Sequence, residues 1–213
     1  MTLEQQIQPN RNSFASDPFG YSSSAWLKWG LAQTLAGFPA DISRAPTTED
    51  LKSPILWLTQ AEALTQAAVT VLKSQPGFET MTLYTRGICD SQYCAVGLML
   101  VGYSLEVCLK AMTIMRNGIV AYMAKESSFQ HHRLVDLAHF IPNLSKKDRA
   151  ILQTLTHFTL WAGRYPDPGF GRVKHAEDVF DISEKHKISA KDVFSLSARV
   201  MSHALVVVDE TTS

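Results

Sequence analysis

The sequence predicts an all-α fold, a helical bundle of about five main helices with a long central helix, and three observations carry that reading. Apolar residues recur at helical spacing in several long stretches, no alternating period of two persists anywhere, and the stretches open on Ser-based cap signals and close on Pro or Gly. Residues 1–22 are rich in Gln, Asn, Ser and Pro without periodicity, and read as an arm ordered only where Phe14, Phe19 or Tyr21 finds a groove. Ser22-Ser23-Ser24 is placed to cap a short helix that carries Trp26, Leu27, Trp29, Leu31 and Leu35 and stops at Gly37; its two tryptophans call for burial. Residues 38–52 hold two prolines and read as a loop. The chain thus divides into an N-terminal arm with a short helix, 1–52, and a helical domain, 53–213.

In the second part, Ser53-Pro54 opens a helix whose apolar positions run from Ile55 to Leu72, before Pro76-Gly77. From Ser91 to about Lys125 there is no proline, and Leu98, Val101, Leu105, Leu109 and Met112 trace one stripe, so this segment is expected to be the spine, kinked or ended at Asn117-Gly118. His131 to Ile141 reads as a shorter helix closed by Pro142. Ser145-Lys146-Lys147-Asp148 is a capping-box-like start for the next, and Ser189-Ala190-Lys191-Asp192 repeats the signal for the last. Between these two, the two prolines and two glycines from Arg164 to Val173 read as a loop, and the mixed charges after it as a solvated surface.

Bulk properties narrow the function classes. With 213 residues, one domain is the default, and 20 basic against 20 acidic side chains leave no overall field for nucleic acid or an anionic membrane, so any RNA contact would use a local patch. Cys89, Cys94 and Cys108 are odd in number and read as free thiols of a reducing compartment. The histidines look scattered along the chain, so neither a metal nor a cofactor is expected. The polar N-terminus and a longest apolar run of only about Ala95 to Val101 predict a cytoplasmic protein with no membrane partner. No Gly-rich phosphate loop, nucleophile elbow, His-pair metalloprotease motif or CxxC is present.

Polar residues inside the apolar spine mark the candidate site. Glu106 and Lys110 stand one turn apart in the orientation that supports a helix, with Tyr103 and Ser104 before them. A charge among core residues needs a partner, so two readings stand: a solvated seam, or a buried carboxylate that orients a basic group from another helix. His131-His132-Arg133 is the densest titratable cluster, open to a cap role or to proton exchange. Arg164, before Tyr165 and Pro166, is suited either to the carbonyl end of the preceding helix or to a bidentate pair with Glu106.

The series Gly102-Tyr103-Ser104-Leu105-Glu106-x-x-Leu109-Lys110, then His132-x-Leu134-x-x-Leu137, then Arg164-Tyr165-Pro166 resembles the HEPN superfamily of small helical domains across roughly residues 54–208. The resemblance implies a homodimer active in toxin–antitoxin or phage-defence biology and, in active members, metal-independent RNA cleavage in which an Arg stabilises phosphate charge while a His moves a proton. The chain departs from the active pattern: Arg133 and His139 have the family's spacing but sit mid-domain, roughly 120° out of helical register, and Arg199 and His203 have only three residues between them. His132, Arg133 and Arg164 are the expected catalytic residues, with Tyr103, Glu106, Lys110 and Tyr165 binding or orienting. The competing expectation is a non-catalytic interaction module that dimerises or binds a protein partner through the aromatics of the arm.

Overall fold

A computed structural model describes the whole chain except residues 1, 3, 4, 6, 7, 24, 36 and 213, and the side chains of 25, 26 and 212. The described residues form eleven α-helices and no strand, so the protein is all-α. They fall into two compact units, Met1–Leu56 and Trp57–Ser213.

In the first unit, the arm is more regular than its composition predicts: α1 (Arg11–Ser16) and α2 (Pro18–Ser23) are short helices, α1 capped by the Asn10 side chain. Phe14 packs edge-on against Tyr21, whose ring also carries Lys28 Nζ at 4.1 Å, whereas Phe19 stays exposed. Ser22 and Ser23 end α2, and Ser24 lies outside the described residues. α3 (Ala25–Leu35) buries Leu31, and the Trp29 indole N–H donates to Ser53 Oγ at 3.0 Å. The side chain of Trp26 lies outside the described set. The segment from 38 to 52 is a loop ending in a 3₁₀ turn at Asp50–Lys52.

The second unit is built on α5 (Leu83–Asn117), preceded by α4 (Pro54–Lys73), whose first residues belong to the first unit. α5 starts eight residues before the predicted spine, where Thr82 caps it by accepting from the Thr85 N–H. It ends at Gly118, whose φ of 78° no β-carbon-bearing residue adopts cheaply. The chain continues in short helices α6 (Ile119–Ala124) and α7 (Glu126–Phe129). The helix expected over 131–141 shrinks to one turn, α8 (Leu134–Leu137), still burying Leu134, Leu137, Ala138 and Ile141. Its apolar positions suit a wall of the core as well as a helix, and the periodicity does not separate the two.

α9 (Lys146–His157) opens on the predicted reciprocal capping box of Ser145 and Asp148, and then widens into a π-helical turn, Phe158–Ala162. After the loop comes α10 (Lys174–His186), a helix that the interleaved charges of this stretch concealed. α11 (Ala190–Thr212) follows the reciprocal Ser189–Asp192 cap. The core joins Val101, Leu105, Leu109 and Met112 of α5 with Ile151, Leu152 and Leu155 of α9 and Val193, Leu196, Val200 and Val207 of α11. By length and composition α4 and α5 are apolar enough to cross a membrane, with mean hydropathies of 1.2 and 1.6, although no unbroken apolar run in the sequence is that long; half of the α5 window is buried within the protein.

Two glycines set the distance between α5 and the α9–π segment. A β-carbon on Gly102 would meet Thr159 Cγ2 at 2.6 Å and the Leu155 carbonyl oxygen at 3.2 Å, and one on Gly163 would meet Met99 Cβ at 2.3 Å. Because close-packed interiors transmit such overlaps as strain, Gly102→Val is expected to cost about 1–3 kcal/mol, seen as a lower urea midpoint with the helical circular dichroism retained.

Candidate functional site

Glu106 is 5% exposed, in the middle of α5 where leucines bracket it. Both of its oxygens are occupied: Lys110 Nζ donates to Oε1 at 2.8 Å from one turn below, and His132 Nδ1 approaches Oε2 at 2.8 Å. An ionised carboxylate only accepts, so the proton of this second bond sits on Nδ1 and Nε2 is the basic nitrogen of the neutral ring. The His132 side chain is 39% exposed, against 12% for Lys110 and 6% for Glu106, so the ring reaches from the buried carboxylate toward solvent.

The turn that presents His132 is held from α9. The Leu134 N–H donates to Thr156 Oγ1 at 3.1 Å, while the Thr156 hydroxyl itself donates to the Leu152 carbonyl. On the other side the Tyr103 ring meets His132 edge-on at 6.0 Å, and its hydroxyl donates to the Thr159 carbonyl at 3.2 Å. Arg164 Nη1 donates to the same Tyr103 oxygen at 3.3 Å, and its guanidinium lies 5.5 Å from the Tyr165 ring centroid. Arg164 therefore does not form the bidentate pair with Glu106 that its sequence context allowed. The carboxylate is already saturated by Lys110 and His132, and the Tyr103 hydroxyl takes the cation instead.

The structure thus brings together Tyr103, Glu106, Lys110, His132 and Arg164. Tyr165 stands on the exposed flank, lining with Arg164, Gln92, Val96, Gly163 and Pro166 a concavity of about 250 Å³. Arg133 is left out: it is exposed and paired locally with Asp136 at 2.6 Å, as N-cap of α8. Thr156 and Thr159 are site residues that sequence reasoning missed. Their only signal was that Thr154, Thr156 and Thr159 interrupt the apolar residues from Ala150 to Ala162, which does not reveal what crosses them.

Two neighbours show the polarity gradient across the site. On the inner side Tyr122 is buried, stacked on Phe129 at 5.1 Å, and burial pushes its phenol up to about 12, with the Glu126 and Glu106 carboxylates adding to the effect. On the outer side, partial burial pushes the His131 imidazole below its ordinary value, and the Arg133 cation lowers it further against the opposing pull of Asp136. His131 Nδ1 accepts the Arg133 N–H at 3.2 Å, a bond that protonation would destroy. Elsewhere on α5 the Cys108 thiol, buried, is pushed up to about 12 and is chemically inert; among the described residues all three cysteines are free.

No protein-family model, no curated protein and no solved structure matches the chain.

Removing the carboxylate strands a nearly buried ammonium, so Glu106→Ala is expected to cost about 3–5 kcal/mol and Glu106→Gln less, read from urea unfolding. For His131 the folded form disfavours the proton relative to the unfolded chain, so its contribution to stability is complete above about pH 6.5 and is lost as pH falls below that value. The drop in urea midpoint between about pH 7.5 and 5.5 is therefore expected to be smaller in His131→Ala than in the parent.

Proposed function

We propose that this protein is an HEPN-like cytoplasmic dimer that binds single-stranded RNA and cleaves it without a metal in the reaction, as part of stress or phage defence. The observation that carries the reading is the Glu106–His132 pair: a buried carboxylate fixes Nδ1, which leaves Nε2 basic on the solvent-facing edge of the ring. Such an imidazole can accept the proton of a ribose 2′-hydroxyl as that oxygen attacks the adjacent phosphorus. The bond to the 5′-oxygen then breaks, a proton returns to the leaving oxygen, and a 2′,3′-cyclic phosphate remains. Arg164, held on the far side of Tyr103, supplies the cation for charge that accumulates on the phosphoryl oxygens. Lys110 holds the carboxylate in place, acting through Glu106, and Tyr165 offers an exposed ring beside Arg164 on which a base can stack.

A second reading, an interaction module that binds a protein partner, is favoured by a different observation. Phe170, Val173 and Phe180 are exposed on the loop and on α10, and Phe19 is exposed on the arm. In that reading the Glu106 centre only holds the bundle together.

Incubation of the purified protein with end-labelled single-stranded RNA separates the two. Cleavage leaving cyclic phosphate ends is expected, reduced by about 10²–10⁴-fold in His132→Ala and by a similar order in Arg164→Ala, while Arg133→Ala retains it. Absence of cleavage and of RNA retention in the parent protein, or activity untouched by the first two substitutions, leaves the module reading standing.

A further inference from the structure

We propose that His157, His175 and Asp178 form a binding site for one divalent transition-metal ion of the zinc class, separate from the Glu106 centre. One imidazole nitrogen from each histidine and one carboxylate oxygen lie within 4.8 Å of one another. The three residues come from two packed helices: His157 ends α9, and His175 and Asp178 stand one turn apart at the start of α10. Eighteen positions separate the histidines in the chain, so the loop between the two helices is what assembles the set.

The geometry matches the chemistry in three respects. Ligands about 2.0–2.1 Å from a tetrahedral zinc stand roughly 3.3–3.4 Å from each other, and His175 Nδ1 and Asp178 Oδ2 are 3.3 Å apart. The His157 and His175 rings face each other at 5.3 Å between centroids, tilted by 44°, and all three donor atoms already lie within 4.8 Å, so rotation of the half-exposed side chains is enough to bring the other two edges to that spacing. With both imidazoles neutral, as metal binding requires, the set carries the negative charge of the carboxylate, and among the described residues Asp178 is hydrogen-bonded to His175 and salt-bridged to no Lys or Arg. Two nitrogens and one oxygen select zinc, nickel or copper over calcium or magnesium, and three protein ligands leave one tetrahedral position open. Once bound, the ion cross-links α9 to α10 and closes the 164–173 loop.

The untagged 213-residue chain, stripped with chelator and titrated with zinc against a chromophoric competitor, is expected to bind one ion per chain. Cobalt at the same stoichiometry is expected to give visible d–d bands of tetrahedral intensity, and zinc to raise the melting temperature and slow proteolysis between residues 164 and 173. Loss of even an outer-shell partner weakens metal sites by roughly 10–100-fold, so His157→Gln and Asp178→Asn are each expected to weaken binding by at least about tenfold. His139→Ala, an exposed histidine elsewhere, is expected to bind as the parent does. Failure of the parent to bind zinc at one per chain overturns the site, as does equal binding by the His157 and Asp178 variants when circular dichroism shows them folded. Neither outcome touches the RNA reading, whose assay can be run in chelator.

Discussion

A carboxylate inside an apolar helix has to be matched, and the second unit is organised around how Glu106 is matched. Its own helix provides only Lys110, one turn away, which answers one oxygen. The other oxygen needs a donor from elsewhere, and an unmatched buried carboxylate costs more than most single packing contacts return. The turn before α8 therefore has to bring His132 to 2.8 Å of it, and that requirement fixes how residues 131–137 lie against α5. The Leu134–Thr156 hydrogen bond and the burial of Leu134 and Leu137 hold the turn in that position from the α9 side.

The stretch from Thr156 to Arg164 is where the molecule's polar features converge. Thr156 anchors the His132 turn, His157 faces His175, Thr159 accepts from Tyr103, and Arg164 reaches the same phenol. The π turn at Phe158–Ala162 widens the spiral there and re-aims the residues that follow it, in the manner of π-bulges at functional sites. Gly102 and Gly163 complete the arrangement by removing the side chains that would keep this stretch away from α5.

Much of the helical framework was legible because its signals are local. The Ser145–Asp148 and Ser189–Asp192 caps, the Ser53-Pro54 start, the Gly118 stop and the Leu98–Met112 stripe depend on residues within a turn or two of each other, and α4, α5, α9 and α11 follow from them. The misreadings have physical causes as well. Residues 131–141 have helical spacing yet form one turn, since burial against α5 and α9 satisfies the apolar residues without further helix; α10 was hidden by charges that merely cover a solvated face. The early start of α5 lies in an exposed stretch, where Leu83, Tyr84 and Ile88 show no core-facing pattern.

Residue identity alone determined that the chain is all-α and that Glu106 and Lys110 meet, because the geometry of an α-helix converts spacing directly into contact, whereas it left open whether Glu106 is buried or lies on a solvated seam. Only the tertiary structure decided that His132 and not Arg164 completes the carboxylate, that Arg164 goes to Tyr103, that Arg133 stays outside, and that two histidines far apart in sequence face each other. Those outcomes depend on the angles and distances between helices, which are set by glycine-mediated close approach, a π turn and buried threonines acting across segments. No periodicity within a single segment encodes them.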